Sequence, residues 1–207
     1  MKNIKTLNDE NVHLLQGRNR AITEPILSNE SIPPFDNTAV DGYAVKAIDT
    51  KGATQETPIS LTVLETIAAG KPPTFAIQSG ECSKIMTGAP IPDGADAVVM
   101  VERTEQQENG SVVAIEEEVS KGQHIRRSGE DLEPGDLVIP QGTILNAAHL
   151  GLLASLGIYQ ITTVRIPTVG VFSTGDELIE GSQELKPGQI RDSNRFSLLA
   201  LLERDGF

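Results

Sequence analysis

Alternating and continuous apolar runs predict a strand-rich stretch through the middle of the chain. Ile59, Leu61 and Val63 alternate with Ser60 and Thr62, which is the period-two pattern of a half-buried β-strand. Further short apolar runs lie at 97–101, 112–115 and 137–139, next to turn-forming Gly or Pro residues. Short strands with such frequent turn signals predict an antiparallel or mixed sheet rather than a parallel one.

Two helices are predicted, one after this stretch and one at the end of the chain. Near the beginning, Val12, Leu14 and Leu15 fit either a short strand or a short helix. Later, Asn146 is a good helix cap, the leucines at 150, 152, 153 and 156 form an apolar face, and Gly157 suits a left-handed stop. A strand over 159–164 follows.

The last forty residues read as strand, loop and helix. The run 169–172 is continuously apolar, as expected for a strand buried on both faces. A polar loop leads to a second helix after Asp192, with leucines at 198, 199, 201 and 202 and Gly206 at its end. This pattern is typical of the start of a doubly wound α/β domain. Because one strand and one helix cannot bury both faces of that strand, we expect the chain to be a fragment or to be completed from elsewhere.

Composition narrows the classes of function. The 207 residues carry a formal net charge of -12, which argues against broad nucleic-acid or membrane-surface binding. Aromatic residues make up only 3%, so the core must consist of Ile, Leu and Val. The single cysteine, Cys82, excludes an internal disulfide and a multi-thiolate zinc site. With neither a membrane-length apolar run nor a signal-peptide pattern, we expect a cytoplasmic protein.

Candidate chemistry is concentrated in polar clusters within Gly- and Pro-rich loops. The phosphate-loop, dinucleotide, nucleophile-elbow and His-Glu-x-x-His signatures do not occur, and the three histidines are scattered. The clusters lie at 35–44, 85–92, 126–131, 173–177 and 188–194.

The last three clusters favour anions, although the clusters at 126–131 and 188–194 also have a purely structural interpretation. Arg126 and Arg127 precede two carboxylates, which fits a solvated ion-pair loop or an anion clamp beside a metal or general-base carboxylate. The loop 173–177 follows a predicted strand and suits phosphate and a divalent cation. Ser193 and Asn194 precede a helix, where backbone N–H groups suit an anion, or act simply as caps.

At these clusters the sequence closely resembles the MoeA family of molybdopterin molybdenumtransferases, whose animal relative is the carboxy-terminal part of gephyrin. The matching segments are Pro34-Phe35-Asp36-Asn37-Thr38-Ala39-Val40-Asp41-Gly42-Tyr43-Ala44, Met86-Thr87-Gly88-Ala89-Pro90, Arg126-Arg127-Ser128-Gly129-Glu130-Asp131, Ser173-Thr174-Gly175-Asp176-Glu177-Leu178 and Asp192-Ser193-Asn194. Each segment is weak alone, whereas five in this order and spacing make chance similarity improbable.

The resemblance implies a fold of mixed α/β class in an elongated, multi-domain protomer. It divides the chain into a linker-type domain with mixed helix and strand (1–26 with 133–165), a β-rich domain (27–132) and the truncated start of a doubly wound molybdopterin-binding domain (166–207). It also implies a homodimer whose active sites are shared between subunits, and the molybdopterin adenylyltransferase as a further partner.

The activity implied by the resemblance is insertion of molybdenum from molybdate into adenylylated molybdopterin, with Mg²⁺ and release of AMP. The implied catalytic residues are Asp41, Thr87, Asp131 and Glu177, with Asp131 and Glu177 as metal candidates. Substrate binding is expected at Ser173, Thr174, Gly175, Asp176, Asp192, Ser193, Asn194, Arg126 and Arg127. The alternative is a non-catalytic pterin-binding or scaffold fragment. Because the chain ends one helix into the pterin-binding domain, catalysis by these 207 residues alone is not expected.

Overall fold

The computed structural model describes residues 7–207, so the first six residues of the predicted 1–26 segment lie outside the described part. In chain order the strands are β1 (Asp9–His13), β2 (Ile26–Leu27), β3 (Asn37–Thr38), β4 (Gly42–Val45), β5 (Ile59–Ile67), β6 (Glu81–Ile85), β7 (Ala97–Met100), β8 (Thr104–Gln107), β9 (Val112–Ile115), β10 (Ile125–Arg126), β11 (Leu137–Ile139), β12 (Gln160–Val164), β13 (Leu178–Ile179) and β14 (Ile190–Arg191). The helices are α1 (Ala147–Ser155) and α2 (Asn194–Arg204).

The chain divides into two compact units, each with its own core. The first, called here the terminal unit, contains residues 7–27 and 137–207, and the second, the sheet unit, contains Ser28–Asp136. The finer separation of 137–165 from 166–207 stays a prediction.

The sheet unit is built on a six-stranded mixed sheet in the order β7-β4-β6-β5-β9-β8. Strands β5 and β6 run parallel, and the other neighbours run antiparallel. The prediction of an antiparallel or mixed sheet is therefore confirmed, as are the strands predicted at 59–63, 97–101 and 112–115.

Each face of this sheet carries an apolar cluster, and successive residues of a strand belong to different clusters because they point to opposite sides. Tyr43 and Val45 of β4 belong to one apolar cluster, whereas Ala44 between them belongs to another. Along β7, Val99 and Val98 separate in the same way. The first cluster is mainly aliphatic, which agrees with the low aromatic content.

In the terminal unit, β1 pairs antiparallel with β12 and β2 with β11. Helix α1 begins as the sequence predicts, since the Asn146 side chain accepts a hydrogen bond from the His149 amide at 3.1 Å. The His149 ring nitrogen Nδ1 in turn accepts from the Asn146 amide at 3.2 Å, which completes a capping box. Gly157 follows with a φ of 70°, the left-handed stop expected of glycine there. Leu153 from α1 packs in the core of this unit.

The prediction of a strand buried on both faces at 169–172 is wrong. These residues have no regular structure, and Val169 and Phe172 are 44% and 89% exposed. The physical reason is that, within residues 7–207, no other strand forms backbone hydrogen bonds with this run. Without a sheet there is also no layer packed on it to cover its apolar side chains.

The final helix is confirmed as α2, and Gly206 follows its end with a φ of 88°. The loop before it contains a feature that the apolar pattern does not predict, the parallel pair formed by β13 and β14. In the described part of the chain, neither helix has the length and apolar character that crossing a bilayer requires.

Candidate functional site

Two of the predicted catalytic residues, Asp41 and Thr87, are in direct contact in the sheet unit. Asp41 precedes β4 and Thr87 follows β6, and the antiparallel pairing of Gly42 with Ile85 brings these two strand ends together. The backbone amide and the hydroxyl of Thr87 both donate to Asp41 Oδ1, each at 2.7 Å. These two donors, the amide first, hold the pKa of Asp41 below its ordinary value.

This contact fixes which way the Thr87 hydroxyl acts. Because its hydrogen is directed at Asp41, the Thr87 oxygen presents lone pairs to solvent in this conformation. Donation from Thr87 to a phosphate or molybdate, the role expected from the sequence, requires the hydroxyl to rotate away from Asp41.

A second carboxylate, Asp36, organises the neighbouring loop and was not among the predicted site residues. Its Oδ1 accepts from the Ser128 amide at 2.8 Å, and its Oδ2 pairs with the Arg127 guanidinium at 2.5 Å. The Ser128 amide and then Arg127 lower the pKa of Asp36. The sequence does mark Asp36 as a candidate, since it lies in the first polar cluster. Its contact with Arg127 spans 91 positions and could not be predicted from the pattern.

In the 126–131 loop, donors that a free anion clamp would offer to a ligand are already bonded to carboxylates of the protein. Arg127 is paired with Asp36, and its own amide donates to the Glu130 carboxylate at 2.9 Å. Arg126 is exposed and lies in β10, opposite Asn37 of β3. Asp131 is also exposed, and its amide donates to the Ile32 carbonyl at 2.9 Å. Within the sheet unit, β-pairing thus joins the 126–131 loop to the 35–44 segment.

In the terminal unit, five predicted binding residues line one cavity of about 330 Å³. They are Ser173, Thr174, Asp192, Ser193 and Asn194. The predicted residues Gly175 and Asp176 lie in the same loop and are exposed, but they do not line this cavity. The structure therefore brings together the ends of two predicted clusters, 173–177 and 188–194.

Asp192 is the central carboxylate of this cavity. The Ser173 hydroxyl and then the Arg195 amide, at 3.2 Å, lower the pKa of Asp192. The Arg195 guanidinium lies 3.6 Å from the Asp192 carboxylate and also pairs with Glu180. Arg195 lines the cavity but was missed from the sequence, although its position three residues after Asp192 on a predicted helix was the available signal.

The backbone at position 175, two residues before the predicted catalytic residue Glu177, favours glycine. Gly175 has a φ of 146°, and a Cβ there would lie 2.5 Å from both carboxylate oxygens of Glu177. Any larger residue at 175 would displace that carboxylate. The Glu177 backbone carbonyl accepts from the Ile190 amide at 2.8 Å, which ties the loop to β14.

The residues present suit a divalent cation only if substrate supplies further ligands. Among residues 7–207, no three His, Cys, Asp or Glu side chains form a metal-ligand cluster. Asp131 and Glu177 are each exposed and each offer one carboxylate. Mg²⁺ is commonly held by one or two carboxylates and completed by water and substrate phosphates, so either residue fits such a site.

A protein-family model that matches most of the chain shows which family it belongs to. The model of the MoeA N-terminal region (domain I and II) matches residues 1–157. The chain belongs to the MoeA family. Molybdopterin molybdenumtransferase 2 of Mycobacterium tuberculosis is 43% identical to this MoeA chain over 197 residues, which is 94% of the chain and 48% of that relative. The molybdopterin molybdenumtransferase of a Nostoc species is 40% identical over 197 residues, 95% of this chain and 45% of the relative.

Solved structures agree with this assignment. The crystal structure of the molybdopterin biosynthesis MoeA protein from Pyrococcus horikoshii matches with a TM-score of 0.83 and 38% identity, covering 95% of this chain and 52% of the other. The predicted resemblance and the mixed α/β fold class are therefore confirmed. The MoeA chain described here spans about half the length of the curated relatives it matches.

Proposed function

We propose that the protein inserts molybdenum from molybdate into adenylylated molybdopterin and releases AMP. The observation that carries the proposal is the contact between Asp41 and Thr87, which joins an ionised carboxylate and a hydroxyl on two exposed loop ends. The relatives named as molybdopterin molybdenumtransferases support the same activity.

The chemistry requires local donors, because both substrates are anions and the chain has a net charge of -12. At the cavity around Asp192, the Thr174 hydroxyl and the polar residues Ser193 and Asn194 supply such donors, whereas the Ser173 hydroxyl already donates to Asp192. We propose that this cavity binds the phosphate groups of the pterin substrate. Its lining arginine Arg191 adds positive charge, although its guanidinium also donates to the Gln183 carbonyl at 2.9 Å.

Four residues take the catalytic roles in this proposal. Asp41 orients substrate and holds Thr87, whose hydroxyl contacts phosphate or molybdate after it rotates. Asp131 of the sheet unit and Glu177 of the terminal unit are separate candidates to hold Mg²⁺, which would neutralise developing negative charge on the phosphate oxygens when bound at either of them. Arg126 is the exposed first residue of the 126–131 loop, and it contributes positive charge there.

A substitution with a matched control tests the assignment. In the intact gene product that carries this chain, Asp41→Ala should lower molybdate-dependent AMP release by about a hundredfold or more, because a positioned catalytic group contributes roughly that much. Asp49 is the matched control: its carboxylate also accepts one hydroxyl and one amide, from Ser79 at 2.8 Å and Gly80 at 3.0 Å. Asp49→Ala should leave turnover within about twofold. Equal turnover in the two variants would refute the role of Asp41.

The same assay separates the enzyme from a non-catalytic pterin-binding scaffold. A scaffold would bind the adenylylated pterin, yet Asp41→Ala would have no turnover to remove. Pterin binding without molybdate-dependent AMP release in the unsubstituted protein would favour that alternative.

We further propose that the active protein is a cytoplasmic homodimer with shared active sites, and that the molybdopterin adenylyltransferase hands over its product. The chain covers about half of the matched relatives, which supports a site that also uses residues from the part of those relatives that it does not cover. Sedimentation velocity of the intact gene product tests the dimer, and a monomer at catalytic concentrations would contradict it.

A further inference from the structure

A second cavity of the terminal unit is lined by three arginines. Its volume is about 270 Å³, and Arg18, Arg20 and Arg165 all contribute to its wall. Asp205 is the acidic side chain in that wall, and it already pairs with the Arg204 guanidinium at 2.9 Å. This cavity shares no lining residue with the one around Asp192.

Backbone hydrogen bonds hold two of these arginines on a tight turn. The residue between them, Asn19, has a left-handed φ of 64°. Its amide donates to the Leu145 carbonyl at 2.8 Å, and the Leu145 amide donates back to the Arg20 carbonyl at 2.9 Å. The turn is thereby fixed on both sides of Asn19, so Arg18 and Arg20 leave it from defined positions.

The third arginine is brought to the same place by the end of β12. The Val164 amide donates to the carbonyl of Ala21, directly after the turn, at 2.8 Å. The next residue is Arg165, whose guanidinium donates to the Thr168 hydroxyl at 3.2 Å. The convergence of the three cations is therefore a property of the backbone pairing and not of side-chain rotamers alone.

The charges of this cluster are incompletely neutralised. Within residues 7–207, neither Arg18 nor Arg165 forms an ion pair. Arg20 pairs with Glu10, but its Nε is buried and has no hydrogen-bond acceptor in the described part of the chain. A buried guanidinium N–H without an acceptor is unfavourable. In a chain with 29 acidic and 17 basic side chains, a cavity lined by three arginines, two of which have no carboxylate partner in the described part of the chain, indicates an external anion.

We propose that this cavity, the arginine cavity, binds a tetrahedral oxyanion of the phosphate type. Guanidinium groups present paired N–H donors whose geometry matches phosphate oxygens, and such charge-assisted hydrogen bonds are strong. The volume lies just below the range of cavities that hold drug-sized ligands, which suits a single small anion or one phosphate group of a larger molecule. The proposal does not depend on the proposed enzymatic function.

The test is calorimetric titration of the intact gene product with inorganic phosphate, with AMP and with molybdate as separate probes. The double variant Arg18→Ala with Arg165→Ala should bind at least about tenfold more weakly, because it removes two charge-assisted donors. Both residues are exposed, so the fold should survive, and the far-ultraviolet circular dichroism spectrum checks that it does. Arg103→Ala is the control, since Arg103 is exposed and has only a 4.0 Å contact with Glu117.

The outcomes decide both the site and its ligand. Tighter binding of AMP, lost in the double variant, supports the site with a nucleotide phosphate as the ligand, and equal binding of all three supports a free oxyanion. Unchanged affinity in a folded double variant, or no binding of any probe at millimolar concentration, overturns the proposal. The double variant should also retain molybdate-dependent AMP release, so that failure of this proposal remains distinguishable from failure of the proposed function.

Discussion

Replacing Gly42 by alanine should break the geometry that joins Asp41 to Thr87. Gly42 follows Asp41 at the start of β4, a strand that lies between β6 and β7. A Cβ at this position would lie 2.0 Å from the backbone oxygen of Val99 and 2.9 Å from its carbonyl carbon. Because the obstacle is backbone, β7 must move by about 1 Å or more to restore an ordinary contact.

The cost of that movement can be worked from the strand pairing. Four residue pairs join β4 to β7, and Gly42 pairs with Met100 at one end of this register. Overpacking at such a site costs about 1–3 kcal/mol, and each weakened backbone hydrogen bond adds about 1 kcal/mol. We expect Gly42→Ala to lower the free energy of unfolding of the sheet unit by about 3 kcal/mol. Since the Asp41 carbonyl accepts from the Val101 amide at 3.0 Å, the shift should also displace Asp41.

Gly151→Ala provides a control of opposite sign. Gly151 is exposed within α1 and lacks a positive φ, and a Cβ added to it would meet no heavy atom within 4 Å. Alanine there should raise the stability of α1 by roughly 0.5–1 kcal/mol, because glycine is the poorer helix former. Hydrogen exchange of peptides from β7 and α1, measured at increasing urea concentrations, gives the stability of the sheet unit and of the terminal unit separately. Equal stability of β7 in Gly42→Ala and the unsubstituted protein, with undiminished AMP release, would refute the reasoning.

Two further substitutions test the core of the terminal unit and the Asp36 carboxylate. Leu153→Ala should lower the free energy of unfolding of the terminal unit by about 2–5 kcal/mol, because Leu153 is fully buried. Leu198 is exposed, so Leu198→Ala should change that free energy by less than about 0.5 kcal/mol. Hydrogen exchange of α1 peptides in urea compares the two variants. Asp36 has a lowered folded-state pKa, so its contribution to stability is present above the unfolded value of about 3.9 and is lost as the pH falls through the folded value. The urea midpoints of the unsubstituted protein and Asp36→Asn should therefore differ at pH 7 and converge on acidification; a difference that is constant down to pH 3 would contradict this.

The features that could be predicted from the sequence are those set by local chemistry. The cap at Asn146 and the stop at Gly157 depend on residues within one turn of either end of α1. The residue types at these two positions are therefore enough to predict where the helix begins and ends. The alternation at 59–63 likewise reports one half-buried strand. These elements form as predicted because the signals and the interactions that satisfy them are close in the chain.

The features that could not be predicted depend on register between distant segments. The Asp41–Thr87 contact spans 46 positions and follows from the pairing of β4 with β6. The sequence placed both residues in loops but could not show that the Thr87 hydroxyl donates to Asp41. The run 169–172 fails for the complementary reason: apolar character predicts burial only when other elements supply a neighbouring strand and a covering layer.

Pairing of arginines changes how anion recognition must work at the predicted sites. Arg127 is a predicted binding residue and Arg195 directly follows one, yet each is paired with a carboxylate, Asp36 for the first and Glu180 for the second. A paired guanidinium still has N–H groups to offer, but its net attraction for a distant anion is largely cancelled. Hydroxyls and backbone amides act only at hydrogen-bond distance, so they select an anion by the positions of its oxygens rather than by its charge. For a chain with a net charge of -12, this favours recognition by fit after contact over long-range electrostatic capture.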